Sequence, residues 1–416
     1  MPQHAESRVA DLITSHRPGF SLAQPFYADA AVFRAEIEAI WHRQWIFAGM
    51  ACEVSKPGMW FRYDIAHASV IVTRDQNSEL RAFHNTCRHR GSRICSAERG
   101  NSRTFTCPYH QWTYAATGDL MRARDMGDDF DKSNYSLTPV HIREVAGYVF
   151  ISLAEQAPSF DAFVQGVTPY LARHQLGQAK VAHESTLIER ANWKLVIENN
   201  RECYHCRVSH PELLRTIAEV EDTSDPRCPP GYREKLMADE SRWDEQGLPY
   251  SLIADPEGWQ IVRVPMVNGK SFTMTGEPAS RRVMGELPDF DVGSVRLLHF
   301  PNTWNHALGD HAIAFRVTPI DEQTTAVTTK WLVHADAVEG VDYDLDTLTH
   351  VWNATNNQDR KLAENNQLGI NTPGYRPGPY SPESEGGVMA FIEWYMKEMR
   401  AAHVAANPQQ DEALAI

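Results

Sequence analysis

Two short loops, Cys87-x-His89 and Cys107-x-x-His110, each carry one thiolate and one imidazole, and together they restrict this chain more than any other feature of it. Two sulfur and two nitrogen donors satisfy two different centres. A [2Fe-2S] cluster can hold one iron with two cysteines and the other with two histidines. Tetrahedral Zn²⁺ accepts the same four donors. Zinc sites of this composition usually group the cysteines and then the histidines, whereas the order here is Cys, His, Cys, His. Each loop can give its cysteine to an inner iron and its histidine to an outer one.

A second set of donors lies in Asn192–Pro211, NWKLVIENNRECYHCRVSHP, which offers Glu202, His205 and His210. Two imidazoles and a carboxylate on one face of an iron leave positions open for O₂ and substrate. Glu202 and His205 are neighbours if this stretch is helical. His205 and His210, five residues apart, then point about 140° from each other. The helix must therefore end between them, and Pro211 supplies the reason by biasing His210 out of the α region. The ordinary alternative is a helix with surface or capping histidines. Cys203-x-x-Cys206 has the spacing of a redox dithiol but follows a dozen residues of helical pattern instead of opening a helix in a βαβ unit. These two cysteines are expected to be buried packing residues.

The residues around the donors, CRHRG at Cys87–Gly91 and CPYHQW at Cys107–Trp112, resemble the two cluster-binding loops of Rieske proteins. With N-W-K-x-x-x-E-N and E-x-x-H-x-x-x-x-H downstream, nearly the whole chain resembles the catalytic (alpha) subunit of a Rieske non-haem iron oxygenase. The resemblance implies one Rieske cluster on Cys87, His89, Cys107 and His110, and one mononuclear Fe(II) on His205, His210 and an aspartate of a late helix. VWNATNNQDRKLAENNQ (Val351–Gln367) places that aspartate at Asp359, with Glu364 and Asp342 as fallbacks. It further implies a homotrimer in which Glu202 bridges His110 of one subunit to His205 of the next. Most ring-hydroxylating members carry Asp at that place. Glu202 looks like the quaternary-ammonium branch, the carnitine, glycine betaine and proline betaine (stachydrine) oxygenases.

The expected activity is thus O₂-dependent hydroxylation of a betaine N-methyl group with release of formaldehyde. Such a cation lacks N–H donors and falls to aromatic faces; Trp243, Trp259, Phe272, Phe300 and Trp304 are candidates. The alternatives are a ring-hydroxylating dioxygenase of a benzoate-like acid and, from another class, a non-catalytic Rieske electron-transfer protein. The latter would need only the β domain. No G-x-G-x-x-G follows a strand and no plant-type ferredoxin run is present, so NAD(P)H is expected to act only through a separate flavin/iron-sulfur reductase.

At 416 residues two domains are expected. A net charge of −14, from 40 basic and 54 acidic side chains, argues against nucleic acid or anionic membrane as partner. Seven cysteines, two of them given to a cluster, do not read as a disulfide framework. The longest apolar stretch, around Val145–Ala154, falls far short of the roughly 20 residues that span a bilayer, and the expected location is cytoplasmic.

Periodicity gives an α+β organisation in three parts. Residues 1–45 include a helical pattern at Ala30–Trp45. Residues 46–155 read as an antiparallel all-β Rieske domain, with strands at Met59–Tyr63, Ser69–Thr73, Arg103–Cys107 and Tyr148–Leu153 and a hairpin at Thr117-Gly118-Asp119. In residues 156–416, helices at Ala191–Cys206 and Leu345–Gln367 bracket strands at Ser294–Phe300, His311–Thr318 and Thr325–His334. For this part the resemblance implies a helix-grip (START-like) fold, a curved antiparallel sheet on a long helix, with the N-terminal helix packed against it. Glu221–Pro249, polar and rich in Pro and Gly, is expected to be loop over the active site.

Overall fold

The computed structural model describes residues 2–406. Four antiparallel sheets and the helices between them give an α+β chain whose two halves follow the two sets of metal donors.

In the first half, Met59–Ile65 pairs with Ala68–Arg74, and Leu80–His84 and Arg99–Asn101 flank them in a four-stranded sheet. The three-stranded sheet Thr104–Thr106, Thr113–Ala115, Leu120–Arg122 stands beside it. Its second hairpin turns at Gly118, whose φ of +94° suits glycine, and a Cβ there would lie 2.5 Å from the Phe83 ring. A third sheet joins Ile46–Met50, Tyr148–Ser152 and His141–Val145.

The second half is built on a seven-stranded sheet in the order Lys180–Glu189, Thr324–Val333, His311–Asp321, Thr303–Ala307, Ser294–His299, Trp259–Val264, Ile253–Asp255. The first five residues of His311–Asp321, HAIAF, are all buried, so the alternation expected of a half-exposed strand is lost where helices cover the sheet. Helix Trp193–Asn200, capped by Asn192, whose side chain accepts from the Lys194 N–H, lies against this sheet. The 26-residue helix Leu345–Ile370 packs on it in turn. The halves are locked together by Asn302, whose amide accepts from Phe47 N and donates to Phe47 O, both at 2.9 Å.

The N-terminal segment packs on the second half. Helix Ala30–Glu36 continues into a π-helical turn, Ile37–Trp41. Its Glu36 is fully buried and accepts from Lys194 Nζ at 2.5 Å, Tyr395 OH at 2.6 Å and Trp193 Nε1 at 2.9 Å. Burial lowers the pKa of Lys194, and the adjacent Glu36 carboxylate works against that fall. Glu36→Ala leaves this ammonium buried without its counter-ion, which costs about 3–5 kcal/mol. Urea titration of the purified variant is expected to show the loss, and a change below 1 kcal/mol would mean that water reaches Lys194.

Two expectations are corrected here. The helix holding the N-W-K motif ends at Asn200, so Glu202 lies in a loop, and a separate short helix, Cys206–Ser209, follows. Glu221–Pro249 is not all loop, because Tyr232–Gln246 is a 15-residue helix. It begins after Gly231 and stops at Gly247, both with positive φ. Its sequence is so polar that only Tyr232, Asp239 and Trp243 are buried, too few for the period to show.

Candidate metal and active site

The Cys87 and Cys107 loops are two tight turns facing each other. Gly91 N bonds to Cys87 O at 2.9 Å and Gln111 N to Cys107 O at 3.0 Å, while Cys87 N and Cys107 N reach Ser92 O and Trp112 O. Both thiols are buried, 2% exposed. Burial pushes the Cys87 thiol up, and the Tyr114 hydroxyl, 3.3 Å from its sulfur, opposes that rise. The His89 and His110 rings stand 4.7 Å apart on the open side; His89 stacks on Trp112 and His110 on Tyr109. His89 Nδ1 is buried without a hydrogen-bond partner. Two buried sulfurs behind and two imidazoles in front match the donor set of a Rieske cluster. Cys107→Ser is expected to bleach the red-brown cluster absorption and remove two irons and two acid-labile sulfides per chain. Stoichiometric zinc without labile sulfide would sink the cluster assignment.

The second donor set converges more tightly. His205 Nε2 and His210 Nε2 lie 2.9 Å apart, and Asp359 Oδ1 is 3.3 Å from the first and 2.9 Å from the second. The loop end of the first helix makes this possible. His205 and His210 are the residues flanking the helical turn Cys206–Ser209, and the non-helical backbone of His210 before Pro211, with φ −124° and ψ 64°, turns its ring back. Each imidazole is fixed from behind. His205 Nδ1 meets Glu202 Oε1 at 2.6 Å and His210 Nδ1 meets Gln358 Oε1 at 2.8 Å. With both Nδ1 protons donated outward, both Nε2 atoms are turned toward Asp359. Burial acts to lower the His205 pKa, but the hydrogen bonds to Asp359 and Glu202 outweigh it and raise it to about 9. A bound cation therefore displaces a proton held among the three groups.

Glu202 does more than meet His205. Its other oxygen accepts from the Tyr204 and His205 backbone N–H groups, so the carboxylate also builds the turn. Among the described residues no hydrogen bond joins it to His110 of the same chain. Of the fallback carboxylates, Glu364 accepts from Arg190 N and Asp342 pairs with Arg282, so neither faces the histidines. Cys203 and Cys206, expected as separate packing residues, are instead joined in a disulfide, with their Cα atoms 4.9 Å apart. Cys206 lies near the two histidines, but a disulfide sulfur is not a thiolate donor. Gln358 and Glu212, whose carboxylate accepts from Gln358 Nε2 at 2.8 Å, escaped the sequence reading. Their adjacency to Asp359 and to His210-Pro211 was the only available signal.

The five candidate aromatics separate. Phe272 and Trp304 belong to one continuous group with Phe315, Trp352 and the neutral ring of His306, which burial holds well below its usual pKa. Trp352 precedes Asp359 by seven residues, two turns of the same helix, and so shares its face. Trp243 instead packs against Tyr250 and Arg263, Trp259 against Phe163, and Phe300 against Phe391 and Trp394.

Known proteins agree with both halves. Residues 44–138 match the Rieske [2Fe-2S] domain and residues 176–401 the ring hydroxylating alpha subunit (catalytic domain). The chain belongs to the family of Rieske ring-hydroxylating oxygenase alpha subunits, enzymes that carry both a [2Fe-2S] cluster and a mononuclear iron. It is 48% identical to the glycine betaine monooxygenase oxygenase subunit of Chromohalobacter salexigens over 97% of this chain and 91% of that one. It is also 48% identical to the subunit of the same name from Pseudomonas aeruginosa, over 95% and 92%. Its fold matches the crystal structure of the quaternary ammonium Rieske monooxygenase CntA in complex with L-carnitine, with a TM-score of 0.71 at 22% identity over 94% of this chain and 98% of that one. Among the described residues no helix is long and apolar enough to cross a membrane.

Proposed function

We propose that this chain is the oxygenase component of a betaine demethylase, acting on glycine betaine or proline betaine. The observation that carries the reading is the convergence of His205, His210 and Asp359 on one point, with Trp352 of the aromatic group on the same face of the Asp359 helix. The two relatives at 48% identity supply the substrate class. Cys87 and Cys107 hold one iron of the cluster, His89 and His110 the other, and His205, His210 and Asp359 hold the mononuclear iron.

When bound, the mononuclear iron supplies O₂ activation, with electrons that a separate flavin/iron-sulfur reductase draws from NAD(P)H and the cluster relays. The residues of the chain do the rest. Phe272, Trp304, Phe315 and Trp352 offer π faces to the quaternary nitrogen, each worth about 0.5–2 kcal/mol, and the neutral His306 adds no repelling charge. Glu202 and Gln358 hold the Nδ1 protons of the two histidines and fix their rings. Overall, one N-methyl C–H becomes C–OH while O₂, two electrons and two protons yield that hydroxyl and one water. The carbinolamine then breaks its C–N bond, its hydroxyl proton leaving as formaldehyde forms and the nitrogen keeping the electron pair.

The proposed assembly is a homotrimer in which His110 of one copy meets Glu202 of the next. Exposed side chains beside each group support it, Tyr109 next to His110 and Tyr204 and Val208 around His205. An aerobic formaldehyde assay with a generic reductase, across glycine betaine, proline betaine, carnitine, choline and benzoates, tests the substrate. One formaldehyde per singly demethylated product is expected from glycine betaine or proline betaine. A cis-diol from a benzoate, with no formaldehyde from any betaine, would replace demethylation by ring hydroxylation.

A further inference from the structure

Arg201 stands next to Glu202 in sequence, but its side chain serves a different place. It closes the C-terminal end of helix Trp193–Asn200, and its side chain lines a cavity of ≈ 340 Å³ beside the helix Gly386–Ala406. Trp259, Phe300 and Trp394 give that cavity aromatic walls, and Asp255, Glu393 and Lys397 also line it. Phe272, Trp304, His306, Phe315 and Trp352 are not among them.

Three observations show that the cavity is built for a negative group. First, among the described residues no carboxylate or other acceptor pairs with the Arg201 guanidinium, and its Nε is buried without a partner. Burial alone lowers its pKa, to about 10, with no neighbouring acid to offset it, so the group stays charged at neutral pH. Arg263, the fully buried arginine of this half, donates to the carbonyls of Pro249, Val292 and Tyr170, whereas Arg201 is half-buried and its buried Nε has no such partner. A buried donor without an acceptor is costly unless something outside the chain supplies one.

Second, the helix Gly386–Ala406 starts against this guanidinium. Gly387 lines the cavity, and a Cβ on it would stand 2.4 Å from Arg201 O and 3.3 Å from Arg201 Nη2, so glycine is what allows the approach. The first turn holds no acidic side chain, and Glu385 just before it accepts from Ser381 N. The positive end of a helix beside a guanidinium favours an anion placed against both. Third, Trp394 Nε1 is a buried donor without an acceptor.

The rest of the lining is of the other sign. Lys397 is engaged with Glu257 at 2.7 Å, which leaves the carboxylates of Asp255 and Glu393 in excess. Glu393 lies six residues beyond Gly387 on the same helix, about 9 Å along its axis. A positive end, aromatic walls and acidic side chains are thus arranged in one enclosed space.

We propose that this cavity is a second small-molecule site that binds a zwitterion, the carboxylate on Arg201, Trp394 and the first turn at Gly387, and the ammonium end on the faces of Trp259 and Phe300 toward Glu393. The carboxylate end rests on these residues alone. The choice of a methylated ammonium for the other end rests on the betaine reading above, since such molecules are what the reaction consumes and releases.

Anaerobic equilibrium dialysis of the intact, iron-loaded oxygenase tests the site, with labelled glycine betaine, N,N-dimethylglycine and acetate as separate probes. For at least one of the two zwitterions, the wild type is expected to bind one equivalent per chain that Arg201→Gln weakens tenfold or more and Trp394→Phe, which keeps the ring but not the N–H, weakens less. Arg201→Lys should retain part of the affinity. Loss of fold is distinguished by melting, because removal of an unpaired buried charge should leave the melting temperature equal or higher. Binding of both zwitterions unaltered by Arg201→Gln would overturn the proposal, as would Arg201-dependent binding of acetate alone. A crystal structure of the oligomer with a second copy's carboxylate on Arg201 would overturn it too. If glycine betaine and proline betaine give no formaldehyde yet the Arg201-dependent equivalent of dimethylglycine persists, the demethylase reading fails and this site stands.

Discussion

Glu202→Gln is expected to lower steady-state turnover by about two orders of magnitude or more while both metal centres remain loaded. The carboxylate meets His205 Nδ1 at 2.6 Å and is the acceptor for two backbone N–H groups of its own turn. Glutamine keeps the shape, and its single amide oxygen can still accept on one side, from His205 Nδ1 or from the two backbone N–H groups, so the fold should survive. It removes the negative charge from the proposed link between His110 of one copy and His205 of the next, where partners behind a metal-bound histidine typically matter 10–100-fold. The measurement is formaldehyde per unit time against iron and labile sulfide content of the same sample. Normal turnover would move the link elsewhere, with Asn199, which lines the same cavity as Glu202 and His205, as the next residue to change.

Asp359→Ala should have an effect as large by another route. The variant is expected to lose mononuclear iron and turnover together, at least about 100-fold in affinity by comparison with the 10–100-fold typical of residues one step removed from the metal, while the cluster absorption stays. Among the described residues Asp359 is the only carboxylate with an oxygen within 3.3 Å of both imidazole Nε2 atoms. Without it, two neutral nitrogens face one another with no anionic donor. Gln358→Ala, which frees His210 Nδ1, should produce the same pattern at a smaller scale. Iron retained at one per chain in Asp359→Ala would return Glu364 or Asp342 to consideration, despite their present partners Arg190 and Arg282.

The sequence by itself singled out the two candidate sets of donors, because metal chemistry is written in residue type and short spacing. Cys87, His89, Cys107 and His110 lie on two turns only three or four residues long, so local chain geometry already brings each pair together. The same holds for His205 and His210, where Pro211 forces the bend. The long helix and the central strands were legible too, the helix from its apolar spacing and the strands as short runs rich in apolar and β-branched residues. Tertiary structure decided whatever depends on residues distant in sequence. Asp359 is more than a hundred residues from His210, and only the packing of Leu345–Ile370 against Trp193–Asn200 brings its oxygen to 2.9 Å. The buried Glu36–Lys194 pair also follows from packing, not from propensity. Helix Tyr232–Gln246 was hidden because a nearly all-polar surface helix shows no apolar stripe. The separation of Phe272 and Trp304 from Trp243, Trp259 and Phe300 has the same origin: an aromatic residue reads alike whether it faces an iron site, a core or a second cavity, and only the folded chain assigns its neighbours.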